Sequence, residues 1–571
     1  MKSQMLVLFL LLSITMVACS QFGDKITENP DYVMIENDPV ITATPFQPEE
    51  FGEVKSTQAA GDSQTSSTPS VQRRLYFNID NSVPDFLIGE LSTGKLVELT
   101  EDGDIADITL AFSEDCEEPF YAVYVLVAPF PTVRDSVSGN QLQSAWAKPQ
   151  EVFNNQPLLM SIETHQMLSQ QWGGAEEGAI TILPPDQLLE FSWANNQYAI
   201  IPFHTLNARW KVIKIDGLST LDQETRNDNL PLSFGYCLTG TEGQMEKLED
   251  EDFTIHGIST NRELEKMTSL TMTGVTALVR ATAHRMEVKG VTYPGEIVKD
   301  LLLNSDFTHI SNEVAFAESC PYPDPYQTDL RFCSSPEYIE LFSYLDIDII
   351  ELTGNHIQDW SREDFVSTLD MYETGGFAYF GGGRTLGEAK EALIIEHNGN
   401  KLAFIGCNAV GPYGAWATDT TSGNVPCGDY SWITEEVEKL SAKGYLVIVT
   451  LQHNEFYGMM KTGPQILDFN PLAQAGAVIV SGSQAHYPNP FGFEGQNFIH
   501  YGLGNLFFDQ MDAYTADGIQ REFVDTHYFY GGRYISTEIH TLYLEDFAQP
   551  RYMTAEERKL FLENAFEASG W

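Results

Sequence analysis

Four apolar runs in the second half of this chain stop abruptly in imidazole, amide or carboxylate side chains, and those stops are where chemistry could reside. Ile349-Ile350-Glu351-Leu352-Thr353 runs into Gly354-Asn355-His356, and Leu451 is followed by Gln452-His453-Asn454-Glu455. Val480 is followed by Ser481-Gly482-Ser483-Gln484-Ala485-His486, and Ile310 by Ser311-Asn312-Glu313. Imidazole and carboxylate are the groups that hold a catalytic divalent metal or move protons near neutral pH. One histidine after a strand is commonly a structural residue. Four such stops in order point to a shared site.

A shared site needs a frame that brings the stops to one edge. Short isoleucine- and valine-rich runs followed by polar loops and helix starts read as buried strands feeding helices. Strands are expected at 268–279, 307–310, 347–352, 377–380, 392–395, 402–405, 446–451, 477–481 and 498–501. Helices are expected at 295–303, 336–344, 362–372 and 434–440. Thr554-Ala555-Glu556-Glu557 is a capping box that opens a last helix to about Glu567. This alternation implies an α/β domain over residues 268–571, with the polar stops at the carboxyl edges of its strands, where ligands of such sheets collect.

The rest of the chain sets the context. At 571 residues two or more domains are expected. The formal charge of −49 excludes nucleic acid or an anionic membrane surface as a partner held by bulk electrostatics. Residues 1–19 read as a signal peptide: Lys2, an apolar run too short to span a bilayer, then Met16-Val17-Ala18-Cys19, where small residues before cysteine match a bacterial lipoprotein processing site. Cys19 would then carry lipid, placing the protein outside the cytoplasm and tied to the cell membrane. The alternative is a simple secretory peptide. Residues 20–72, rich in serine, threonine and proline, read as a disordered tether. Residues 73–240 read as a smaller α/β domain with strands at 122–128, 198–203 and 210–217, and 241–267 as an acidic linker. Six further cysteines lack any C-x-x-C pair. Bridges such as Cys320 to Cys333, or free buried thiols, are both open.

These stations also carry a resemblance. Residues 274–280, Ser311-Asn312-Glu313, Gly354-Asn355-His356 with Asp359, Gln452-His453 with Glu455, Ser481 to His486, and Tyr501-Gly502-Leu503-Gly504-Asn505-Leu506-Phe507-Phe508-Asp509 follow, in order, the motifs of the CapA family of capsule and poly-γ-glutamate synthesis proteins. That family is related to calcineurin-like metallophosphatases. The resemblance implies a four-layer α-β-β-α sandwich preceded by the smaller α/β domain, which is itself weakly similar to a periplasmic solute-binding lobe. Val275 stands where the family has an aspartate, Gln484 where it has a histidine, and Glu313 falls one position early. A valine cannot bind a metal and a neutral amide binds one poorly. An intact two-metal centre is therefore not expected, and one divalent ion at most is.

On this reading His356 transfers protons, oriented by Asp359 or Glu455, and Arg280 pairs with a substrate carboxylate. Glu313, Asn355, His453 and His486, with Asn312 and Gln484, would hold the ion or polarise an amide carbonyl. Arg384, in Gly381-Gly382-Gly383-Arg384, sits in either an anion cradle or a tight turn. Asn505 either contacts substrate or, like Asp509, ties the last strand in place. The implied function is synthesis, transfer or processing of poly-γ-glutamate or another capsular polymer, with that acidic polymer or its synthase complex as partner. The alternatives are a metal-dependent phosphoesterase and a non-catalytic polymer-binding lipoprotein.

Overall fold

The computed structural model describes residues 73–113 and 116–571. The expected signal peptide, Cys19 and the tether lie outside the described residues.

Two sheets face each other in the second half of the chain. One is eight-stranded and runs Ala378–Phe380, Ile349–Glu351, Phe307–Asn312, Met267–Thr276, Arg521–Tyr530, Arg533–Glu545, Gln549–Tyr552, with Asn505–Phe507 paired to Met267–Thr276. The other is six-stranded and runs Leu393–His397, Asn400–Asn408, Leu446–Gln452, Ala477–Ser481, Asn497–Leu503, Pro488–Glu494. The first four strands of the larger sheet are mutually parallel. So are the four central strands of the smaller one. Strands buried on both faces read as unbroken apolar runs, and every residue of Leu446–Gln452 and Met267–Thr276 is buried.

Three buried clusters define the layers. Leu270, Met272 and Ile349 meet Phe404, Ile448 and Phe498 between the sheets. Leu341 and Phe342 of helix Ile339–Tyr344, with Phe365 and Leu369 of helix Arg362–Gly375, cover the outside of the larger sheet. Ile433 and Val437 of helix Ser431–Ala442, with Phe469 and Leu472 of helix Gly463–Gln474, cover the smaller one. The result is the four-layer α-β-β-α sandwich. Helix Arg362–Gly375 is held at both ends by local chemistry: Ser361 accepts from the Asp364 amide, acids fill the first turn, and Gly376 closes it in the left-handed region.

Residues 73–240 build a nine-stranded mixed sheet in which Leu75–Ile79, Leu158–Met160, Ile180–Ile182 and Ala199–Pro202 lie beside antiparallel Phe120–Pro129 and Ser233–Gly240. The acidic stretch 241–267, expected as a linker, is folded onto this sheet. Ile255–Ile258 pairs with Ile88–Thr93, and Phe253 and Leu248 pack into its core while Glu242, Glu246 and Glu249 stay exposed. The acids that suggested a linker are one solvated face of an ordered segment.

The lobe is also docked on the sandwich. Phe130 is buried with ring centroids 5.3 to 5.7 Å from Phe491, Phe493 and Phe498, a burial that stabilises by about 1.5–3 kcal/mol. Asp135 takes two hydrogen bonds from Arg558 of the last helix, at 3.0 and 2.9 Å. Disulfides join Cys116 to Cys237, Cys320 to Cys333 and Cys407 to Cys427. Among the described residues no helix is long and apolar enough to cross a membrane.

Candidate functional site

Parallel packing brings the expected polar stops to a common edge, and glycines let them close up. A Cβ on Gly354 would lie 2.8 Å from the Glu313 Cα, and one on Gly274 only 1.9 Å from the Gly504 carbonyl oxygen. Neither position tolerates a side chain without backbone movement.

Glu313 is the centre of the arrangement. It is fully buried, and neither carboxylate oxygen has a hydrogen-bond partner. His486 Nε2 stands 3.6 Å from Glu313 Oε1 and 3.4 Å from Glu455 Oε1, while Nδ1 lies 2.8 Å from the Asn505 amide oxygen. Burial alone would strip the His486 proton. The Glu313 and Glu455 carboxylates outweigh it and raise the ring to about 9, so His486 is an imidazolium at neutral pH. Burial likewise pushes Glu313 up, but the charges of His486, His356 and Arg280 bring it below the ordinary carboxylate value.

His356 Nδ1 lies 2.6 Å from Asp359 Oδ2, which also accepts from the Phe332 amide at 3.0 Å. A carboxylate only accepts, so the ring proton sits on Nδ1 and Nε2 is left for another group. Burial lowers His356, but the Asp359 bond and the Glu313 charge together raise it. Asp359 is thus the orienting partner. Glu455, the other residue expected in that role, is instead held by the Tyr457 hydroxyl and faces His486.

Arg280 opens the helix Arg280–Lys289 at φ +46°. Its guanidinium is 2.5 Å from Asp509 and lies between the rings of Phe332 and Phe508, at 5.1 and 4.9 Å. Its Nε is buried without a partner. Phe332 also meets His356 at 4.8 Å, and Phe508 meets His486 at 5.1 Å, so two aromatic rings separate Arg280 from the two imidazoles. A cleft of about 230 Å³ opens beside them, lined by Arg280, Arg331, Phe332, Tyr322, Trp360 and Asp324. The Cys320–Cys333 bridge clips its loop. Arg280 is already paired with Asp509, whereas Arg331 donates to the Asp359 and Trp360 carbonyls and brings the cleft a guanidinium held by neutral acceptors.

Several expected site residues go elsewhere. The Asn312 amide donates to the Val314 carbonyl and the Tyr372 hydroxyl, both at 2.8 Å, and serves the core. His453 Nε2 pairs with Asp468 at 2.8 Å and its ring meets Phe469 on helix Gly463–Gln474. Arg384 is spent on Asp370, Glu373 and Glu388 at the surface, so its glycines form a turn and no anion cradle. Asn355 takes a long 3.4 Å bond from Gln452. Gln484 is buried with both amide atoms unpartnered. Val275 is buried, its amide bonded to the Gly504 carbonyl. Phe332, Arg331 and Tyr457 were not singled out by sequence: the first two lie in a loop with no motif around them, and Tyr457 falls just past the Gln452-to-Glu455 station.

The donor chemistry suits a cation: the Glu313 oxygens and the Gln484 amide are buried acceptors with nothing to accept from. Among the described residues, however, no group of three or more His, Cys, Asp or Glu stands ready to hold a metal ion.

Comparison with known proteins agrees with the motif order. Residues 240–510 match the bacterial capsule synthesis protein PGA_cap family. The capsule biosynthesis protein CapA of Bacillus anthracis is 24% identical over 262 residues, 45% of this chain and 63% of that protein. The PGA biosynthesis protein CapA of Bacillus subtilis (strain 168) is 22% identical over 234 residues, 40% of this chain and 60% of that protein. The match thus spans less than two thirds of these relatives' length. The NAD nucleotidase of Haemophilus influenzae aligns at 10% identity and a TM-score of 0.29, covering 53% of this chain and 56% of that one. The match to this capsule synthesis family covers residues 240–510, and it is there that the chain is similar to the two CapA proteins.

Proposed function

We propose that the protein acts on poly-γ-glutamate or a similar acidic capsular polymer, in its synthesis, transfer or processing, by histidine acid/base chemistry at the Glu313 site. The observation that carries this reading is a buried carboxylate with no hydrogen bond, ringed by the charges of His486, His356 and Arg280. Unpaired polar atoms in a buried site cost stability, and are retained where something outside the chain completes them.

His356, its Nδ1 proton fixed by Asp359, offers Nε2 to take a proton from an attacking water or amine. The His486 imidazolium, held by Glu313 and Glu455, faces the developing negative charge on a substrate carbonyl oxygen and stabilises it. Arg280 and Arg331 seat polymer carboxylates in the adjoining cleft, a task suited to guanidinium. A divalent ion would find only the Glu313 oxygens and the Gln484 amide oxygen as unpartnered acceptors here, because His486 as an imidazolium has no lone pair to give it. Three disulfides support an oxidising, extracytoplasmic location, and with the expected lipid at Cys19 they fit a membrane-tethered protein.

The test is to incubate purified protein with poly-γ-glutamate, with and without an amine acceptor, and follow chain length by size-exclusion chromatography. The expected result is a change in chain length that is lost in His356→Ala. Saturable binding with unchanged chains would replace catalysis by a polymer-holding role.

A further inference from the structure

A second cleft, of about 1220 Å³, lies in the first lobe. Its lining comes from segments that follow Leu75–Ile79, Leu158–Met160, Ile180–Ile182 and Ala199–Pro202, next to Tyr124 on antiparallel Phe120–Pro129. It therefore sits at carboxyl strand ends where the sheet reverses direction, the place where open α/β sheets receive ligands. The turn Gly495-Gln496, between two strands of the sandwich, closes one side.

Three features of this cleft specify a ligand. The helix Ile162–Trp172 begins in it, capped by Ser161, whose hydroxyl accepts from the Thr164 amide at 3.2 Å and approaches the Thr164 hydroxyl at 3.2 Å. The Ile162 and Glu163 amides have no acceptor within the helix, and the Thr164 hydroxyl keeps its proton for another acceptor. Tyr124 is only 2% exposed, and its hydroxyl makes no hydrogen bond to any described residue. These donors suit a carboxylate. Glu163 and Asp85 also line the cleft. Arg209, His165 and His204 line the cleft as well, but Arg209 is paired with Glu190, and acids next to anion-binding donors match an ammonium adjacent to the carboxylate. Phe86, Met167 and Leu188 supply an apolar wall.

We infer that this cleft binds a free α-amino acid, its carboxylate on Thr164, Tyr124 and the helix start, its ammonium on Glu163, and its side chain against Phe86. The inference is independent of the chemistry proposed at Glu313.

Calorimetric titration of the full-length protein with each common L-amino acid tests it, with the amide and N-acetyl derivatives of any binder and inorganic phosphate as controls. Saturable binding of at least one amino acid is expected, weakened about tenfold or more by loss of either charged group and by Thr164→Val or Glu163→Gln, as for loss of one charge-assisted hydrogen bond. If Thr164→Val does not fold, the exposed Glu163→Gln decides alone. No binding by any amino acid, equal binding of the blocked derivatives, binding unmoved by Glu163→Gln, or phosphate binding instead would each overturn the inference.

Discussion

Glu313 and Glu351 are both fully buried glutamates at neighbouring strand ends, and they sit in opposite kinds of surroundings. Glu351 is saturated: the Thr353 hydroxyl donates to one oxygen, the Ser483 hydroxyl to the other, and His309 Nε2 lies 3.3 Å away. Those contacts tie its own strand end to the facing sheet. Glu313 has no hydrogen bond, only cationic groups around it. Glu522 marks a third case, equally buried and unbonded but with no cation to offset burial, which raises it well above the ordinary carboxylate value. Burial is common to all three. What marks Glu313 as a working group is unused acceptor capacity together with the charged groups that keep it ionised.

That contrast can be broken at graded cost. The largest effect is expected for His356→Ala, which removes the proton-transfer group and should lower the rate of chain-length change by about 10²–10⁴-fold, well beyond the modest loss of stability from its Asp359 bond. Next, Glu351→Gln should cost about 3 kcal/mol in urea unfolding, since it breaks a buried, fully bonded carboxylate pair. The surviving protein should keep much of its activity. A smaller effect is expected at the lobe junction. Burial raises Asp135, but Lys211 and Arg558 outweigh it and hold it at about 2, below the usual 3.8. A depressed carboxylate stabilises the fold above its ordinary value, and that contribution is lost as pH falls from about 4 toward 2. Stability against acid should therefore fall less steeply over this window in Asp135→Asn than in the wild type. Smallest of all, Arg384→Ala should change stability by about 0.5 kcal/mol or less and leave activity intact, because its partners are surface carboxylates.

Much of the sandwich was legible because its parallel strands are doubly buried and announce themselves as apolar runs, as at Leu446–Gln452 and Ala477–Ser481. The long hairpin Arg521–Tyr530 and Arg533–Glu545 was not: aspartate, histidine and tyrosine interrupt its pattern, because the sheet interior houses polar pairs such as His500 with Asp525 at 2.5 Å. The turn at Gly531-Gly532, both at positive φ, was its one available signal. At the site, Glu313, His356, Asp359, Glu455 and His486 were named from spacing and motif order, and the structure groups them. Asn312, His453 and Arg384 occupy equivalent sequence positions yet find partners on helices and at the surface, which depends on side-chain direction and is not written in the spacing. Phe332 reaches the site from a disulfide-clipped loop, a placement fixed only by tertiary structure.

The most direct test is a paired measurement on Glu313→Gln: urea unfolding, and chain-length change on poly-γ-glutamate. Glu313 has no hydrogen bond to lose, and His486 can shed its proton once the facing charge is gone, so the variant is predicted to stay folded and to lose less stability than Glu351→Gln. With the charge facing His486 and His356 gone, its activity should fall about 100-fold or more. Wild-type activity in a stably folded Glu313→Gln protein would contradict the assignment of this carboxylate as the centre of the site.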